Sequence, residues 1–145
     1  MKILVLNGPN LNLLGKREVE IYGAKSLSDI EFEIREYCSR TNIDVSLKQS
    51  NHEGVLVDMI HESIVNEVDA IVINAAAYSH TSIAILDALK AVAIPYAVVH
   101  ITNPLLRESF RHRDLLAEDA SSYVAGRGGS GYIEAIKSLR NILKS

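Results

Sequence analysis

The chain has 145 residues, 48% of them hydrophobic and 23% charged, with a formal net charge of −3. That length predicts one domain, residues 1–145, with a core large enough to stand without staples. The acidic balance argues against a nucleic-acid partner, the single Cys38 excludes an internal disulfide, and no apolar run reaches the roughly 18 residues that span a membrane.

Lys2–Asn7 (KILVLN) is a continuous apolar run, the pattern of a strand buried on both faces. The same N-terminus lacks the long apolar region and small-residue cleavage site of a signal peptide, so the reading is a cytoplasmic protein. Residues at about 8–25 make a connection longer than the usual 2–6 or so between strand and helix. They carry Arg17, Glu18, Tyr22 and two hinge candidates, Gly15 and Gly23, which predicts a lid over a site. Leu11, Leu13, Leu14 and Ile21 predict that parts of this segment pack. Leu27, Ile30, Ile34, Tyr37 and Cys38 then step by three and four, as one face of a helix does. Two capping boxes are available to it, one within Ser28–Glu31 and one pairing Ser26 with Asp29. Cys38 on this stripe reads as core filler.

Further strands are predicted at Ile43–Leu47, Ala70–Asn74, Pro95–Val99 and Ser122–Ala125. Helical stripes lie between and after them: Leu56, Met59, Ile60 and Ile64; Ile85, Leu86, Leu89 and Val92; Ile133, Ile136, Leu139 and Leu143. Strands alternating with helices predict an α/β fold, a doubly wound parallel five-stranded sheet with helices on both faces. The expected arrangement is flavodoxin-like, with strand order 2-1-3-4-5.

Ligands in such sheets bind beyond the carboxyl ends of the strands. Those ends carry Asn7–Asn12, Gln49–Glu53, Asn74–Ser82, His100–Asn103 and Gly126–Gly131. His52, His80 and His100 thus converge on one sheet edge, which turns and helix caps alone explain poorly. Arg107 and the run Phe110–Asp114 (FRHRD) form a local basic cluster, suited to gripping a carboxylate or phosphate, or else a solvated face. The GRGGSG run after the last strand reads as a tight turn into a helix rather than a phosphate loop. A zinc site has no sequence support, there is no G-x-S-x-G elbow, and Lys48 is a poor Schiff-base candidate.

Five motifs share a common likeness. LNGPNLNLLGKRE at 6–18, EIYG at 20–23, QSNHEG at 49–54, NAAAYSHTS at 74–82 and the His100–His112 segment resemble the type II 3-dehydroquinate dehydratases, in order and over nearly the whole chain. The resemblance implies a lyase of the shikimate pathway, serving aromatic amino acid biosynthesis, that uses neither metal nor organic cofactor. It implies an anti elimination of water from 3-dehydroquinate through an enolate, giving 3-dehydroshikimate. It also implies a homododecamer of four trimers.

By the same resemblance, Tyr22 is the base beside the substrate ketone and Arg17 the lid arginine that assists it. Asn12 holds the water that stabilises the enolate, and His100 is the acid that protonates the departing hydroxyl. Asn74, His80 and Arg111 bind substrate, Ile101 and Thr102 offer backbone N–H groups to its carboxylate, and Asp87 reaches the site from a neighbouring subunit.

General chemistry is consistent with these roles. A free tyrosine ionises near pH 10, so a tyrosinate base working near neutrality needs roughly 4 kcal/mol of preferential stabilisation of its anion. A nearby arginine in a water-poor site can supply much of that. An acid titrating near neutrality suits histidine.

Four positions depart from the family pattern. Val98 stands where most members carry a glutamate two residues before the acid histidine, Ala75 and Val19 replace prolines, and Arg127 replaces an apolar residue. Residues 98 and 100 share a strand face, so a carboxylate at 98 would orient the imidazole and valine does not. Two alternatives stay open: a weak or inactive binding module for a cyclic polyol carboxylate, suggested by these departures, and a flavin- or nucleotide-binding protein, suggested by the expected fold and GRGGSG.

Overall fold

The computed structural model describes every residue, Met1–Ser145. Its strands are β1 (Lys2–Asn7), β2 (Asp44–Gln49), β3 (Ala70–Asn74), β4 (Tyr96–His100) and β5 (Ser122–Ala125). Its helices are α1 (Val19–Tyr22), α2 (Leu27–Arg40), α3 (Glu53–Val65), α4 (Ile83–Val92) and α5 (Gly131–Lys144). All four strand pairs are parallel, in the order β2-β1-β3-β4-β5 expected from the alternating pattern. None of the helices is long and apolar enough to cross a membrane.

The two-residue period of a strand sorts its side chains onto opposite faces. Ile3, Val5, Val72, Ala97 and Val99 meet α2 and α5, where Ile30, Ile34, Cys38, Tyr132, Ile136 and Leu139 complete one core. Leu4, Leu6, Ile71, Ile73, Tyr96 and Val98 meet α3 and α4 through Leu56, Ile60, Ile85, Ala88 and Leu89. The central strands are buried on both sides, which is why their sequences read as unbroken apolar runs. Truncating a fully buried Ile136 or Leu89 to alanine costs about 2–5 kcal/mol.

Several sequence expectations shift. β2 begins at Asp44 and runs on to Gln49, and β4 is displaced by one residue to end on His100. The capping box of α2 is the Ser26–Asp29 pair, with bonds of 3.1 and 2.9 Å; Ser28 lies inside the helix. Ile64 and Leu143 leave their predicted core faces and are 59% and 39% exposed; each lies in the last turn of its helix. Residues 8–25 are only partly a loop. A 3-10 turn at Leu11–Leu13 and the single turn of α1 occupy it, and Leu11 and Leu14 enter the core. Both hinge candidates, Gly15 and Gly23, have positive φ, 86° and 87°. GRGGSG is a turn, with a 3-10 segment at Gly128–Ser130 leading into α5.

The ends of β1 and β3 set the floor of the site. Asn7 and Asn74 are register partners, and the Gly8 N–H continues the pairing onto the Asn74 carbonyl at 2.8 Å. A Cβ at Gly8 would stand 2.5 Å from the Ala75 carbonyl oxygen, so only glycine permits this approach.

Candidate active site

Three strand ends and the loops that follow them enclose a cavity of about 150 Å³. The ends contribute Asn74 and His100, and the loops contribute Pro9, Arg17, Tyr22, His80, Ile101, Thr102, Arg107 and Arg111 among others. The location is the one that a doubly wound sheet favours, at the carboxyl edge beside the reversal of strand order.

A buried polar network supports the floor. The Tyr132 hydroxyl, carried by α5, donates to Asn7 Oδ1 at 2.5 Å and accepts from Asn74 Nδ2 at 2.9 Å. Asn74 Oδ1 in turn accepts the Ala76 N–H at 3.2 Å, which orients its side chain. Burial, the largest influence, pushes the Tyr132 hydroxyl well above the usual tyrosine range, so it stays a neutral donor.

Tyr22 lies at the mouth of the cavity, between two arginines. Arg107 Nη1 donates to the Tyr22 Oη at 2.7 Å, and both guanidinium carbons stand near the ring, that of Arg17 at 4.6 Å and that of Arg107 at 5.2 Å from its centroid. Arg17, the expected lid arginine, stands against the same ring. Arg17 pairs with Glu18 at 2.7 Å and packs against the face of the ring, while the phenolic oxygen belongs to Arg107. The phenolic oxygen thus receives its hydrogen bond from a charged donor.

His100 sits at the cavity's inner end, with only 7% of its side chain exposed. Its Nε2 lies 2.6 Å from Asp114 Oδ2. The ring stacks on His80 with centroids 6.2 Å apart and planes 9° apart, and Tyr123 tilts against it at 5.7 Å. His80 is fixed by a 2.7 Å bond from Nδ1 to the Arg113 carbonyl, which turns its Nε2 away from that contact. The absent glutamate at position 98 therefore does not leave His100 without a carboxylate: Asp114 supplies one from a different loop.

In the same cavity, the backbone N–H groups of Ile101 and Thr102 donate no hydrogen bond within the chain. Their carbonyls are occupied, accepting from Gly128 and Gly126 at 3.0 and 3.1 Å, so the peptides are held while their donors stay available. Arg111 lines the same space, and its Nε donates to Glu108 at 2.9 Å. Glu108's carboxyl is held below its usual range, first by its own backbone N–H and then by Arg111. The cavity thus offers cationic and N–H donors to an anion.

Of the residues expected from the sequence, Arg17, Tyr22, Asn74, His80, His100, Ile101, Thr102 and Arg111 line this one cavity. Asn12 and Asp87 do not. Asn12 is exposed on the 3-10 turn, 3.5 Å from Gln49 Nε2, and Asp87 is exposed on α4. Arg107 is legible in the sequence only as part of a basic cluster, and Tyr132 not at all. The signal for Asp114 was confined to an acidic residue closing a basic run.

The class II dehydroquinase family model matches residues 1–140. A 3-dehydroquinate dehydratase of Synechococcus sp. (strain WH7803) is 49% identical over 99% of this chain and 97% of its own. One from Rhizobium johnstonii is 47% identical over 97% of this chain and 96% of its own. The crystal structure of the type II dehydroquinase from Butyrivibrio crossotus superposes with a TM-score of 0.95 at 48% identity, covering 97% of each chain. Family match, full-length likeness and an assembled site agree, and the chain belongs to the class II dehydroquinases.

Proposed function

We propose that this chain dehydrates 3-dehydroquinate to 3-dehydroshikimate, a step of the shikimate pathway, with Tyr22 as the base and His100 as the acid. The observation that carries the reading is the pairing at the two ends of one cavity: Tyr22 with Arg107, and His100 with Asp114. The Tyr22 oxygen takes the proton beside the ketone, and the C–H electrons pass into an enolate. His100 gives a proton to the departing hydroxyl, the C–O bond breaks, and water leaves as the double bond closes. Preorganised donors matter most where charge develops, and the enolate forms within reach of Asn and N–H groups. The Ile101 and Thr102 N–H groups and Arg111 take the substrate carboxylate, with Asn74 and His80 on its hydroxyls.

Asn12 and Asp87 join this machinery only if residues 8–25 close over the cavity and a neighbouring chain approaches α4. The reading therefore includes a closing lid and a homododecamer of four trimers. Exposed Leu105, Leu106 and Phe110 beside the cavity, and Ile83 on α4, are apolar surface that such assembly would cover.

The decisive variant is Tyr22→Phe, which keeps the ring and removes the base. Turnover, followed by the ultraviolet absorbance of the conjugated product, is expected to vanish while binding of a substrate-like carboxylate persists. Substantial residual turnover would remove Tyr22 from the base role. Borohydride added with substrate is expected to leave activity intact, since no imine forms, and irreversible inactivation would contradict the mechanism.

A further inference from the structure

An imidazole that delivers a proton through one ring nitrogen needs the other held. In strand β4 the position that shares a face with His100 is Val98, fully buried in an apolar core. Asp114 approaches instead from the loop before β5. Its Oδ2 meets His100 Nε2 at 2.6 Å, and its Oδ1 accepts the Leu116 N–H at 2.9 Å. Both oxygens are engaged, and its side chain is only 9% exposed.

We propose that Asp114 is the positioning residue of His100. It holds the proton of the resting ring on Nε2, aims Nδ1 at the substrate and supplies the countercharge for the imidazolium. This rests on the function proposed above. In the delivery step the Nδ1–H bond breaks, the proton goes to the departing hydroxyl, and Nε2–H stays bonded to the carboxylate.

The other groups facing His100 do not compete for this role. His80 stacks on the ring from the 3-10 turn at Ala76–His80 and spends its Nδ1 on the Arg113 carbonyl. Tyr123 from β5 tilts against the ring, and burial followed by the Asp114 charge pushes its hydroxyl up, keeping it neutral. Arg111 lines the cavity but pairs with Glu108. Two consecutive residues, Arg113 and Asp114, therefore hold one nitrogen on each of the two cavity histidines.

Asp114→Asn separates positioning from folding. The Leu116 N–H can only donate, so the amide oxygen stays on it and the amide NH₂ turns to His100 Nε2. That forces the neutral ring into the Nδ1–H tautomer and opposes the imidazolium. The expected result is a kcat lower by about 100-fold or more with KM changed far less. Asp114→Glu, which keeps a carboxylate, is expected to recover part of the loss. Imidazole 15N shifts, assigned with His100→Gln, are expected to show Nε2–H in the neutral wild-type ring and Nδ1–H in Asp114→Asn. Wild-type kcat and unchanged shifts in Asp114→Asn would overturn the proposal. If that variant does not fold, an Nδ1–H tautomer in the wild type overturns it and an Nε2–H tautomer supports it. The spectrum needs no substrate, so a wild-type chain that fails to dehydrate 3-dehydroquinate overturns the function without deciding the tautomer.

Discussion

Under the proposed mechanism Tyr22 and His100 carry opposite demands in one small cavity, since the base must hold negative charge and the acid positive. Their partners divide accordingly, a guanidinium on the phenol and a carboxylate on the imidazole. Arg107→Lys removes the planar donor while keeping the charge, and a charge-assisted bond of about 1.5–3 kcal/mol predicts a kcat about 10- to 100-fold lower. Steady-state kinetics with kcat near wild type would contradict this role for Arg107. A second residue sets an alkaline limit on stability. Burial first, then the charges of Asp119 and Asp114, push the Tyr96 hydroxyl up to about 12, and it donates to the Leu116 carbonyl at 2.6 Å. An unfolded tyrosine loses its proton near pH 10. Above that pH the folded chain binds more protons than the unfolded chain, so stability is complete below about pH 10 and falls as pH rises toward the folded value. Tyr96→Phe is expected to flatten that fall, while costing about 1–3 kcal/mol at neutral pH through the orphaned carbonyl. Urea unfolding on both sides of about pH 10 measures both effects, and an unchanged alkaline slope would contradict the assignment. At this scale the sequence made the cavity lining by Tyr22, His80 and His100 legible, because each stands in a motif at a strand end or in the first connection. Asp114 was hidden, since its partnership with His100 is made across a loop with no periodicity to read.

Helices and strands were legible wherever burial imposes a period. β1, β3 and β5 fall on their expected residues, while β2 and β4 shift by one or two residues because polar Lys48, Gln49 and His100 continue the ladder. That one-residue shift matters, since it puts His100 on the last rung of β4, paired with Ala125, rather than in a free loop. Ile64 and Leu143 show where periodicity overreaches: the stripe continues into the last helical turn, where the side chains are exposed. Caps provide tests away from the chemistry. Ser26→Ala breaks the box at the start of α2 and is expected to cost about 1 kcal/mol. The corresponding fall in Tm is about 2–4 °C. Ala93 ends α4 in the left-handed region with φ 55°, a conformation that costs a side chain about 1–2 kcal/mol. Ala93→Gly is expected to raise stability by about 0.5–1 kcal/mol after the added freedom of the unfolded chain is subtracted. Thermal melts of the two variants moving in the same direction would contradict the cap assignments.

At the scale of the whole molecule, one sheet edge supplies the floor of the site and the 8–25 segment one wall, while Asp87 is exposed on α4 outside the cavity and large apolar side chains stay exposed on neighbouring loops. A chain of 145 residues is short for enclosing a reaction alone. The proposed dodecamer would supply the missing wall, and for it sedimentation is expected to give about 190 kDa for twelve chains of 15.9 kDa each. A monomer at enzyme-like concentrations would contradict the proposed assembly. The fold order was legible because alternating strands and helices admit few arrangements, whereas an interface leaves only scattered exposed leucines in a sequence. The most direct measurement of the central claim is steady-state turnover of 3-dehydroquinate by the wild-type chain, read as growth of the conjugated product's absorbance. The account predicts product without added metal or organic cofactor; no product at high enzyme concentration would contradict it.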